Sequence, residues 1–173
     1  MKKSEIKQEK PLKNGRKKIV VAVSGGFDPI HIGHVRLFNE AKKLGDELVV
    51  ILNNDNWLKR KKSFILMPEN ERKEIIESLK PVDEVIISKH CKNFKNRSIC
   101  AELAELKPDI FANGGDRNKK DARKKSSSLS PEQVLCQKLG IKMVFNVGKG
   151  GKIQSSSWLA KKFPRSIKRI LEI

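Results

Sequence analysis

The chain has 173 residues, with 38 Lys plus Arg against 20 Asp plus Glu and a formal net charge of +18. A hydrophobic fraction of 38%, with seven Phe and two Trp, supports a packed core at this length and excludes a wholly disordered chain. No stretch approaches the ~18 consecutive apolar residues of a membrane span, and the Lys-rich start lacks the apolar core of a secretory signal.

Three scattered cysteines, Cys91, Cys100 and Cys136, form no CxxC pair. They read as free thiols of a reducing, cytoplasmic compartment rather than a disulfide framework or a structural zinc. The charge invites nucleic acid, an anionic membrane surface or a phosphate-rich small ligand, and composition alone does not choose.

The first eighteen residues carry eight basic and two acidic side chains and few apolar ones. They read as a disordered basic tail, 1–17, ahead of a single domain over 18–173. Ile19–Val23 is a β-branched run that predicts a buried parallel strand, ending at Ser24-Gly25-Gly26. Val35, Phe38, Ala41 and Leu44 then share one helical face, and Gly45 stops the run. Leu48–Leu52 predicts a second strand, closed by the turn-forming Asn53-Asn54-Asp55.

Pro68 at a helix N1 position starts a run in which Ile75, Ile76 and Leu79 line one face before Pro81. Val85–Ile87 predicts a third strand, Ile99–Leu106 a short helix, and Ile110–Ala112 a fourth strand broken by Asn113-Gly114-Gly115. Ser130-Pro131-Glu132-Gln133 has the form of a capping box and opens a helix that ends at Gly140. Met143–Val147 is the fifth strand, and Ser155-Ser156-Ser157 caps a last helix that Pro164 disturbs. This alternation predicts an α/β fold, a doubly wound five-stranded parallel sheet with helices on both faces. Such sheets bind ligands beyond the carboxyl ends of their strands.

Four stretches fall at that edge. Gly25-Gly26-Phe27-Asp28-Pro29-Ile30-His31-Ile32-Gly33-His34 follows the first strand and holds two of the three histidines. Its glycines allow backbone to approach phosphate oxygens, the helix start supplies N–H groups, and the two His can face one anion. Lys59-Arg60-Lys61-Lys62 follows the second strand and reads either as a phosphate-facing group or as an exposed basic run. Asn113-Gly114-Gly115-Asp116 ends the fourth strand, where a plain turn also accounts for the glycines. The hydroxyls and N–H groups of Ser155, Ser156 and Ser157 form a helix cap or a phosphate site, with Lys152 nearby.

From about Lys18 to Lys162 the sequence resembles the nucleotidyltransferase superfamily with the His-x-Gly-His signature, in its small cytidylyltransferase-like branch. The resemblance implies a Rossmann-like fold and a reaction in which a phosphate oxygen of an acceptor attacks the α-phosphorus of a nucleoside triphosphate. Pyrophosphate leaves without a covalent enzyme intermediate. It implies catalytic roles for His31, His34 and Lys59. It also implies nucleotide contacts from Gly25, Gly26, Phe27, Asp28, Gly33, Lys62, Arg72, Asn113, Gly114, Gly115, Asp116, Ser155, Ser156 and Ser157. Arg72 reads equally as a surface residue pairing with Glu69 or Glu71. Mg²⁺ is expected with the triphosphate, with no protein-built metal cage, and a homodimer is implied.

The Gly114-Gly115-Asp116 phrase and Leu44–Val50 look most like heptose-1-phosphate adenylyltransferases, although Asn113 stands where that group has Lys. Glycerol-3-phosphate or ethanolamine-phosphate cytidylyltransferases come next, and nicotinate-mononucleotide and flavin adenylyltransferases remain open. ATP or CTP and a phosphorylated small acceptor are the expected partners. Class I aminoacyl-tRNA synthetases share His-x-Gly-His, but the chain is short for one and has no convincing Lys-Met-Ser-Lys-Ser. A nucleic-acid-binding protein is disfavoured by an aromatic content of 5% and the absence of Tyr. The basic stretch Arg117–Ser128 reads as a loop over an anionic substrate or as a solvated insertion. A third basic cluster runs from Lys161 to Arg169.

Overall fold

A computed structural model describes residues 15–114 and 129–148, together with Ser156 and Leu159. The last-helix assignment around Phe163 and Pro164, the 117–128 stretch, the 161–169 cluster and most of the expected tail lie outside the described residues. Within them the elements run β1 (Val20–Gly25), α1 (Ile32–Lys42), β2 (Glu47–Leu52), α2 (Asp55–Lys62) and α3 (Glu69–Glu77). Then follow β3 (Glu84–Ile87), α4 (Cys100–Leu106), β4 (Ile110–Gly114), α5 (Leu129–Leu139) and β5 (Lys142–Val147).

The five strands form one sheet in the order β3-β2-β1-β4-β5, with every neighbouring pair parallel. The Rossmann-like α/β fold follows from the alternation of side chains along buried strands. Val21 and Val23 of β1 and Leu48, Val50 and Leu52 of β2 face a core shared with Phe38 and Ala41 of α1 and Ile76 of α3. Ala22, Ile51 and Phe111 face the opposite core, with Leu103 of α4 and Leu129 and Cys136 of α5. The sheet is therefore covered on both faces, as continuous apolar strands require.

Aspartates bind the amino ends of the strands together. Asp46 accepts the Ile19 amide at 2.9 Å, Asp109 the Val20 amide at 2.9 Å, and Asp83 the Leu48 amide at 2.7 Å. Arg16 and Lys17, assigned to the tail on composition, pair with Asp46 and Asp109. Each opposing charge helps hold its carboxyl below the usual range, after the Ile19 amide at Asp46 and against burial at Asp109.

Four local expectations need correction. Asn53-Asn54-Asp55 is not only a turn: Asn54 caps the helix α2, its Oδ1 accepting the Trp57 amide at 3.0 Å. Asn serves turns and N-caps alike, and only Trp57 and Leu58 of α2 are buried, so the sequence carries a faint apolar stripe there. On α3, Ile75 faces solvent, while Arg72, at helical spacing from Ile76 and Leu79, takes the inward position. Pro68 sits at the N-cap rather than N1. Ser130 lies inside α5 rather than capping it, and the Glu132 carboxylate accepts the Ile99 amide at 3.1 Å, next to the start of α4.

Candidate active site

β1 and β4 are neighbours in the sheet, and the chain turns outward in opposite directions from them. That switch point opens a crevice at their carboxyl ends. The loop from β1 to α1 rises there, and His31, in extended conformation, is the N-cap of α1. Its carbonyl accepts the His34 amide at 2.9 Å, so the two histidines share the first helical turn. Their rings stack with centroids 3.6 Å apart and planes 23° from parallel. Phe27 meets His34 edge-on at 4.9 Å and Phe38 at 5.1 Å, so the ring pair rests on the core.

Burial keeps both imidazoles from charging. Burial first, then the charges of His31 and Lys62, push His34 down to about 3. His31 is lowered as well, by burial foremost, with Lys62 adding to the effect. The His31 amide lies 3.4 Å from His34 Nδ1, which selects the His34 tautomer with its proton on Nε2. His31 Nδ1 is buried with no hydrogen-bond partner among the described residues. A neutral donor, an orphaned ring nitrogen and the positive end of an 11-residue helix thus meet at one place.

Lys62, at the end of α2, brings the cation. Its Nζ donates to the Asp28 carbonyl at 2.5 Å, and burial lowers its ammonium, with Asp28 opposing and Arg72 reinforcing the shift. Lys59, expected to be the leading phosphate-binding Lys, is exposed on α2, whereas Lys62 is half-buried and is the lysine whose charge both histidines feel. Sequence order within a four-residue basic run carries no such distinction.

Arg72 and Asp28, both expected at the nucleotide, are held by partners within the protein. Arg72 is fully buried, not on the surface. Its Nε donates to the Met67 carbonyl, its Nη1 to the carbonyls of Gly26 at 2.6 Å and Asn53 at 2.8 Å, and its Nη2 to Asp55 at 2.6 Å. Asp55 is thus its ion-pair partner, in place of Glu69 or Glu71. Glu69 instead accepts the Asp55 amide at 2.6 Å. Asp28 is also fully buried, and its carboxylate accepts the Leu66 and Met67 amides at 3.1 and 2.8 Å. These two side chains fasten the Gly26–Asp28 loop to β2, α2 and α3.

The glycines are demanded by the protein's own packing. A Cβ on Gly25 would come within 2.8 Å of the Phe27 ring, and one on Gly26 within 2.7 Å of Leu58. One on Gly33 would stand 3.0 Å from the His31 ring, and one on Gly114 2.9 Å from the Val147 carbonyl. Asn113 is buried at the end of β4, its amide 3.4 Å from the Phe111 carbonyl. Ser156 is helical and its hydroxyl donates to the Pro29 carbonyl at 3.2 Å, which brings the serine segment to the histidine loop. Gly115, Asp116, Lys152, Ser155 and Ser157 lie outside the described residues. Among the described residues no group of three His, Cys, Asp or Glu can hold a metal, and no helix is long and apolar enough to cross a membrane.

A five-stranded parallel sheet with a His-x-Gly-His turn at its switch point defines a Rossmann-like α/β protein. A family model described as Cytidylyltransferase-like matches residues 22–145, and the chain belongs to that family. A protein named FAD synthase from Ferroglobus placidus is 45% identical over 98 residues, covering 57% of this chain and 60% of that relative. Another FAD synthase, from Thermoplasma volcanium, is 34% identical over 146 residues, covering 83% of this chain and 93% of the relative. The match thus spans less than two thirds of the Ferroglobus protein's length and nearly all of the Thermoplasma one. Among solved structures, the lipopolysaccharide core biosynthesis protein from Thermoplasma volcanium GSS1 has a TM-score of 0.57 and 32% identity. That alignment covers 76% of this chain and 98% of the other.

Proposed function

We propose that the chain is an adenylyltransferase that joins AMP from ATP to the phosphate of flavin mononucleotide, giving FAD and pyrophosphate. The observation that carries the transferase reading is the stacked pair of neutral histidines beside half-buried Lys62 at the start of α1. The flavin acceptor is supported by the relatives named FAD synthase, one of them aligned over 93% of its length. They favour flavin over the heptose phosphate that the Gly114-Gly115-Asp116 phrase resembles.

In this reading ATP lies across the carboxyl ends of β1 and β4. Its phosphates face the α1 N-terminus, where N–H groups and the helix dipole favour negative charge. An oxygen of the flavin phosphate attacks the α-phosphorus in line, and the bond to the departing pyrophosphate breaks on the opposite side. Phosphoryl transfer needs positioning and positive potential more than covalent help. His34 contributes a neutral N–H donor, His31 its neutral imidazole, and Lys62 the charge that grows in value as pyrophosphate leaves. Ser156 stands by the Pro29 carbonyl to reach a phosphate from the other side of the loop. Mg²⁺ carried by the triphosphate would neutralise phosphate charge, while the Asp28 carboxylate accepts the Leu66 and Met67 amides. The homodimer implied by the resemblance belongs to the same proposal, and light scattering reads it directly.

The test is incubation with ATP and flavin mononucleotide, followed by chromatographic detection of FAD and a pyrophosphate assay. Parallel reactions use CTP and a panel of heptose-1-phosphate, glycerol-3-phosphate, ethanolamine phosphate and nicotinate mononucleotide. Pyrophosphate release with ATP and the flavin alone is the expected result. A sugar-phosphate acceptor is the second reading, supported by the name of the solved Thermoplasma volcanium structure. Turnover of heptose-1-phosphate without turnover of flavin selects it over the first.

A further inference from the structure

Six large apolar side chains are exposed among the described residues: Ile32, Phe64, Leu66, Ile75, Val134 and Leu139. Three of them, Ile32, Phe64 and Leu66, at 52%, 43% and 45% exposure, belong to the segments that build the histidine site. Ile32 directly follows His31 as the first residue of α1. Phe64 and Leu66 follow Lys62 in the segment that joins α2 to α3. That segment is held against the histidine loop from both ends. Lys62 Nζ donates to the Asp28 carbonyl at 2.5 Å, and the Leu66 amide donates to the Asp28 carboxylate at 3.1 Å.

The alternation between these contacts is specific. Ile65 packs inward against Trp57, Leu58 and Phe94. The residues on either side of it, Phe64 and Leu66, are the exposed ones. An aromatic and a branched apolar side chain thus meet solvent immediately after the lysine that faces the phosphate site. Exposed apolar side chains on segments tied to the histidine loop suit a binding surface. A lysine followed within two residues, at most about 7 Å of chain, by an aromatic wall suits a ligand with an anionic end and a flat apolar end.

We propose that Ile32, Phe64 and Leu66 form the acceptor subsite, a wall on which a planar aromatic ring lies while the acceptor's phosphate rests near Lys62. This rests on the adenylyltransferase reading and deepens it. The wall selects an aromatic phosphate ester such as flavin mononucleotide over sugar, glycerol or ethanolamine phosphates, whose polar bodies gain nothing from apolar contact.

The experiment measures flavin mononucleotide binding to the full chain by quenching of flavin fluorescence, separately from FAD formation. Phe64→Ala and Leu66→Ser are compared with Phe64→Trp and with Val134→Ser, a control on α5. All three positions are exposed, so the fold tolerates the changes. Phe64→Ala and Leu66→Ser are expected to weaken flavin binding about tenfold or more, with the KM for ATP unchanged. Phe64→Trp and Val134→Ser are expected to bind as wild type does. Wild-type protein that forms FAD, with Phe64→Ala binding flavin equally well, overturns the wall and leaves the proposed function standing. Flavin binding that depends on Phe64, without FAD formation, upholds the wall and overturns the function. Wild-type protein that neither binds flavin nor forms FAD overturns both.

Discussion

The imidazoles of His31 and His34 stack at 3.6 Å within a single helical turn, a distance at which two imidazolium ions would repel strongly. Burial disfavours the charged form of both rings, and the nearby Lys62 charge reinforces that preference. The pair is therefore a set of neutral hydrogen-bonding groups, and the site's positive charge comes from Lys62 and the helix end.

Removing either ring tests that division. His31→Ala and His34→Ala should each lower turnover by about a hundredfold or more, while circular dichroism shows the fold retained. A variant with near wild-type turnover overturns the assigned roles.

The same burial makes stability depend on pH. The folded pKa of His34, about 3, lies below its ordinary 6.5, so the unfolded chain binds more protons in between. Stability is full above about pH 6.5 and is lost as pH falls toward 3, at about 1.4 kcal/mol per pH unit for this one group. His31 acts in the same direction. Urea midpoints at pH 7.5 and 5.0 should differ for the wild type and differ less for His34→Gln. An equal difference in both proteins contradicts the burial of a neutral ring.

Lys62 and Lys59 separate cleanly in experiment. Lys62→Met should reduce turnover by about a hundredfold. It should also move both histidine titrations upward in NMR spectra, because Lys62 lowers both. Lys59→Met, on the exposed side of α2, should stay within about threefold of wild type. The reverse ranking would return the leading role to Lys59.

We propose that Arg72 positions the histidine loop, given its burial and its partners. Its guanidinium satisfies three backbone carbonyls and Asp55 in a dry setting. Arg72→Met leaves those acceptors unpaired and should cost about 3–5 kcal/mol, read as a lower urea midpoint. Arg72→Lys should recover only part of the loss, because an ammonium lacks the planar fork. A fully stable Arg72→Met protein with poor ATP binding would place the side chain at the nucleotide after all.

Much of the fold was legible in the chain because period and punctuation agree with tertiary need. The run Ile19–Val23 reads as a buried strand since every residue of a covered parallel strand meets a core. Helix α2 was hidden because its buried face is only Trp57 and Leu58, and its cap, Asn54, has the chemistry of a turn. The inward face of α3 was misread because an arginine occupies an apolar position in the stripe. No periodicity rule expects a charge there, and only the ring of acceptors around Arg72 makes it tolerable.

The sequence by itself determined the parallel α/β architecture, the family and the histidine turn. Those depend on local properties: β-branched runs, helix signals and a short glycine-histidine phrase held within one strand–turn–helix unit. The tertiary structure alone decided which lysine lies half-buried by the histidine loop, that Arg72 and Asp28 are buried and tie that loop to its neighbours, and that Phe64 and Leu66 stay exposed after Lys62. Those depend on contacts such as Lys62 with Asp28 and Ser156 with Pro29, 34 and 127 residues apart in the chain. Separations of that kind are closed only when the sheet assembles and the carboxyl ends of its strands bring distant loops to one edge.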